Sequence, residues 1–311
     1  MEIVDSVTAL SASIENTLFH RFESSTEVYL LLEMQAEHPL TDLIRACPPE
    51  RVRHLAHSDF ENCPTQAPLL IRLESRHDPL LAASVELAVM QASDLEVPIR
   101  QISGWLFSDL SFEKMAVRLT QRLTLVHGHG RVRVRLQDPR VLVQLPHLLN
   151  PLQAEQFFSI GDWYCVNDGA ELQHMDLPKP EQVFQYMMLI TQPQLASLKR
   201  IGIANSAMDM LRLMGHRYDL QWIPLMHAQI LNAIAYGFND SKDLTAYATH
   251  GVAVHPRFDQ HPLIAQAISS SRLSGRSFVE AVRGIDEETL RAIALELERD
   301  QPTGQQGVPH D

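Results

Sequence analysis

The sequence predicts an α/β protein of mixed α+β character, with an N-terminal lobe holding a mixed sheet and flanking helices, and an all-helical C-terminal lobe. Three observations carry that prediction. From about Ser25 to Asp176, strand-length apolar runs alternate with helical segments that open on cap signals. Beyond Pro178, Lys179 and Pro180 the strand patterning gives way to helical spacing. Within the first of these regions, the stretch 131–140 (RVRVRLQDPR) passes from a period of two directly into an Asp-Pro helix start. The predicted organisation is a helical lead-in over 1–24, an α/β lobe over 25–177, a helical lobe over 181–300 and a polar, disordered tail over 301–311.

In chain order, Glu27 to Glu33 (EVYLLLE) reads as a strand, followed by a short helix over Leu40 to Ala46. Ala67 to Leu73 is a second strand. Pro79 to Met90 is a helix with Asp78 at its N-cap and Pro79 at the first helical position. Ile102 to Phe107 is a third strand. Ser111 to Leu123 is an amphipathic helix, with Met115, Leu119 and Leu123 on one stripe. Arg131 to Gln137 is a fourth strand, with Arg131, Arg133 and Arg135 on one face and Val132, Val134 and Leu136 on the other. Asp138-Pro139 and Asn150-Pro151 each start a helix. Asn167-Asp168-Gly169 marks a hairpin between two short strands. In the second half, Thr191 and Gln194 form a capping box for a helix reaching about Leu213. Helices over Pro224 to Ala235, Asp240 to Thr249, Pro262 to Ser270 and Phe278 to Val282 follow, and Asp286 caps a last one.

Composition excludes several function classes. The 38 acidic residues outnumber the 26 basic ones, which gives −12 and opposes both nucleic-acid and anionic-membrane binding. No apolar run approaches the roughly 20 residues of a membrane span, so stable membrane insertion is not expected. The start lacks the basic region of a signal peptide. Cys47, Cys63 and Cys165 form no Cys-x-x-Cys pair and read as reduced thiols. The expected compartment is the cytoplasm.

Catalytic and cofactor motifs are absent. There is no phosphate-binding glycine loop, no dinucleotide fingerprint, no serine elbow and no His-Glu-x-x-His, so no cofactor is expected. His127 and His129, two apart on an extended segment, would share a face. With Asp138 they make the alternative reading of a metal-dependent enzyme, set against a plain loop into a strand; an unrelated protein-interaction module is the other alternative. The arginine face has three readings: a phosphate contact, a surface for an acidic partner, or a structural face with stems packed and heads paired. Asp138 as an N-cap needs no catalytic role to explain it. The methionines at Met187, Met188, Met208, Met210, Met214 and Met226 read as core packing, or as an adaptable apolar surface.

The first lobe resembles the adaptor chaperones of the bacterial type VI secretion system (domain of unknown function 4123). The resemblance lies in VYLLLE (Val28 to Glu33), APLLIRL (Ala67 to Leu73), VRLTQRL (Val117 to Leu123) and RLQDPRVL (Arg135 to Leu142) leading to EQFF (Glu155 to Phe158). Arg-x-x-Asp-Pro-Arg is its most specific part. The chain departs from the pattern at Glu33-Met34, where the family's first strand usually ends in Asp-Gly or Asp-Ala, and at Gln137, often aromatic there. The resemblance implies a non-catalytic carrier. Such a carrier holds a cognate effector (a toxin) in the cytoplasm and helps mount it on the valine–glycine-repeat spike protein or its tip. Arg135, Asp138, Pro139 and Arg140 are then the candidate partner-binding or framework residues.

Overall fold

In the computed structural model the described residues are 2–23, 27–34, 37–178 and 188–299. They fall into two compact units, Met1–Leu198 and Lys199–Asp311. The expected boundary at Lys179-Pro180 and the tail at 301–311 lie outside the described residues.

In the first unit α1 (Glu2–Phe22) precedes β1 (Glu27–Leu32), α2 (Thr41–Ala46), β2 (Val52–His54), β3 (Leu69–Leu73), α3 (Pro79–Ser93), β4 (Ile102–Ser108) and α4 (Phe112–Arg122). Next come β5 (Thr124–His127), β6 (Gly130–Arg133), α5 (Pro139–Leu142), α6 (Leu145–Leu148), α7 (Pro151–Phe158), β7 (Asp162–Val166), β8 (Leu172–His174) and β9 (Met188–Leu189). Six strands form one sheet in the order β2-β3-β1-β4-β7-β8, with every neighbouring pair antiparallel. β1 lies inside it, which explains its unbroken apolar run: both edges are hydrogen-bonded and both faces covered. Val28, Leu30 and Leu32 join Ile14 and Leu18 of α1 and Leu81 and Val85 of α3 in one core. On the opposite face the Tyr29 ring stacks on Phe112 of α4, with centroids 6.1 Å apart. Trp105 is fully buried, and its indole N–H donates to Ser84 of α3 at 3.0 Å.

The helix starts follow local chemistry. Asp78 accepts from the Leu80 N–H at 3.1 Å, and Asn150 with Gln153 completes a capping box. Asn167 accepts from the Gly169 and Glu171 N–H groups inside the predicted β7–β8 hairpin, whose positive φ falls on Ala170. Asp168 in that turn is buried and pairs with Arg100 at 2.7 Å.

A second, three-stranded sheet has the order β6-β5-β9, with β5–β6 antiparallel and β5–β9 parallel. It corrects two sequence expectations. The predicted strand over Arg131 to Gln137 ends at Arg133, because its partner β5 starts at Thr124 and beyond that pair only the Val134 N–H finds a partner there, the Leu123 carbonyl. The alternation of exposed arginines and apolar residues nevertheless continues, with Val134 and Leu136 buried. Strands also do not stop at Pro180, since β9 follows it.

The second unit holds most of α8 (Gln192–Leu213), then α9 (Trp222–Ala235), α10 (Ser241–Ala253), α11 (Pro262–Ser274), α12 (Phe278–Val282) and α13 (Glu287–Arg299). Among the described residues it contains no strand. Tyr247, Phe258 and Phe278 make an aromatic centre with Met226, Ile230, Ile264 and Ile268 around it. The buried Asp259 carboxylate accepts from the Tyr236 and Tyr247 hydroxyls at 3.0 and 2.8 Å. Of the methionines, Met208 and Met226 are core, whereas Met210 and Met214 are exposed beside Leu213.

Candidate functional site

After β6 the chain crosses residues 134–138 to reach α5. The Val134 N–H donates to the Leu123 carbonyl at 2.9 Å, and the Ser103 hydroxyl of β4 donates to the Leu136 carbonyl. The crossing is thereby fastened to the large sheet. Asp138, 3% exposed, caps α5. Its Oδ1 accepts from the Arg140 backbone N–H and Nε, and its Oδ2 from Arg140 Nη2, all at 3.0 Å. Arg135 Nη2 lies 3.3 Å from the same Oδ2. Pro139 occupies the first helical position, where its missing N–H costs nothing. The four predicted residues, Arg135, Asp138, Pro139 and Arg140, thus meet at one corner. Within it, Arg140 is largely buried and makes a bidentate pair, while Arg135 is half-exposed.

Glu33 joins this corner, and reading the sequence alone did not assign it there. It follows β1 directly, with its N–H donating to the Gln101 carbonyl at 2.9 Å. Burial raises the Glu33 carboxyl above the usual carboxylate range, and the nearby Asp138 charge raises it further. Arg135, Gln137 and Arg140 pull the other way. The available signal was positional: the acid stands where the resembled family ends its first strand with an aspartate.

Beside the corner opens a polar cleft of about 530 Å³, lined by Glu33, Asp59, Phe60, Cys63, Arg133 and Gln137 among others. The Arg133 guanidinium sits 5.0 Å over the Phe60 ring, with its Nε 3.6 Å from Asp59. Gln137 is 5% exposed, and its Oε1 has no hydrogen-bond partner. Cys63, also in the lining, is exposed. The arrangement offers hydrogen-bond acceptors and an arginine-covered ring.

The other constellation read from the sequence has different geometry. His127 ends β5 and His129 lies in the Gly128 turn, so the two do not share one extended strand. Among the described residues, no three His, Cys, Asp or Glu side chains group as metal ligands. Asp138, the third ligand of that reading, is held by arginines instead.

Residues 28–156 match the model of a family described as Domain of unknown function (DUF4123). The matched segment covers 129 of the 311 residues. It spans β1 through most of α7 and includes the whole Asp138 corner. DUF4123 is a family of type VI secretion effector adaptors and chaperones. No curated protein and no solved structure matches the chain. No helix among the described residues is long and apolar enough to cross a membrane.

Proposed function

We propose that this protein is a non-catalytic adaptor chaperone that binds a type VI secretion effector in the cytoplasm and helps load it onto the spike complex. The DUF4123 match over the α/β unit carries this reading. The corner geometry supports it: Asp138 is occupied by two arginines and a helix N–H, which leaves it no role as a free base. Arg140, Asp138 and Pro139 serve as framework, and half-exposed Arg135 reaches the partner side. The exposed Met210 and Leu213 on α8, with Met214 just after it, add an adaptable apolar surface for a client. The test is co-expression with the toxin encoded beside this protein. Co-purification of the two is expected. A toxin that stays soluble and is fully loaded in cells lacking this protein overturns the proposal.

A further inference from the structure

A second, apolar groove lies in the first unit, away from the Asp138 corner. Its volume is about 270 Å³, and its lining includes Arg122 of α4, Leu125 of β5, Leu152 and Phe157 of α7, and Met188 and Leu189 of β9. That is below the roughly 300–1,000 Å³ of most small-molecule sites and matches the intrusion of a few side chains. Leu152 and Leu189 stand 59% and 66% exposed at its rim, although each is a large apolar residue. The groove is braced from inside: Gln153 of α7 donates to the Leu189 carbonyl at 2.7 Å and completes the Asn150 capping box. Its shape therefore does not wait on a ligand.

Arg122 is the only charged residue of the lining; the other polar lining residues are Gln121, Thr124, Gln153 and Gln156. Its guanidinium donates to neutral oxygens: the carbonyls of Phe157, Gln156 at 2.8 Å and Arg118 at 3.1 Å, and the Ser159 hydroxyl at 3.3 Å. Those carbonyls belong to the C-terminal turns of α4 and α7, so the arginine closes both helix ends. These bonds take four of its five N–H donors, leave one Nη1 N–H for a ligand, and do not neutralise its charge. Burial, then the nearby Arg118, pushes its pKa down to about 9. A net positive charge thus sits in an apolar groove on a chain that carries −12 overall.

We infer that this groove docks an apolar segment of the effector that carries an acidic side chain, with leucine-like residues between Leu152 and Leu189 and the carboxylate directed at Arg122. The inference rests on the adaptor reading for the identity of the partner and on charge complementarity for its chemistry. Its test titrates the isotope-labelled full chain with the peptide acetyl-LELL-amide and, separately, with acetyl-LQLL-amide, following backbone amides and the Arg122 Nε–H by NMR. Shifts confined to Leu125, Leu152, Phe157, Leu189 and Arg122 are expected, with the glutamine peptide about tenfold weaker. Leu189→Ser, a change at an exposed position that leaves the fold standing, is expected to abolish the shifts. Equal response to both peptides, no response in the groove, or an unchanged response in Leu189→Ser overturns the inference. The titration reads the groove alone: its failure leaves the adaptor proposal intact, and failure of toxin co-purification leaves the titration result standing.

Discussion

At the scale of single residues the Asp138 corner is governed by the cost of buried charge. Asp138 and Arg140 are both largely removed from water, and each is the other's compensation. Asp138→Ala removes a helix cap and strands Arg140 together. It is expected to cost about 3 kcal/mol in denaturant unfolding, where loss of an N-cap alone would cost about 1 kcal/mol. Glu33 behaves in the opposite sense. Its carboxyl is raised by burial and by Asp138, so the folded chain holds that proton more tightly than the unfolded chain does. The resulting penalty is absent below the ordinary glutamate pKa and complete above the raised one. Glu33→Gln should therefore raise the melting temperature near pH 7, with the gain shrinking to nothing as pH falls below the ordinary value. Thermal melts of both proteins across that range check the sign; an equal gain at all pH values would mean that ionisation of Glu33 is not what weakens the fold.

At the scale of elements, β4 depends on one glycine. Gly104 has φ +148°, and a Cβ there would overlap the Tyr164 carbonyl of β7. The position lies beside the register shift between Leu31 and Leu32 on the neighbouring β1. Gly104→Ala is expected to destabilise the first unit by ~3 kcal/mol or more, measured by denaturant midpoint, because strain and a backbone clash act together. Elements with local causes were legible in the sequence. The Asp78, Asp138, Asn150 and Asp286 caps sit next to the N–H groups they satisfy, so neighbouring residues determine them. The short strands were not legible. β2 and β9 are three and two residues long, and they exist because β3 and β5 offer them a partner. The same reason shortened β6: its alternation continued, but its partner strand did not. Glu33 was missed likewise, since nothing within a few residues of it announces Asp138 or Arg135.

At the scale of the whole molecule, the two units carry different surfaces. One unit carries the segment that matches DUF4123, with a polar cleft beside a locked corner and a separate apolar groove with a single arginine. The other is helical, with an aromatic core and exposed methionines. The sequence made the family legible through Arg135, Asp138 and Arg140, residues whose spacing one local motif preserves. It did not make the clefts legible, because their walls come from segments far apart in the chain. The most direct test of the adaptor claim is the amount of toxin recovered with the spike protein from bacteria with and without this chain. The account predicts that deletion removes toxin from the spike and that the wild-type chain restores it. Equal toxin on the spike in both strains would contradict it.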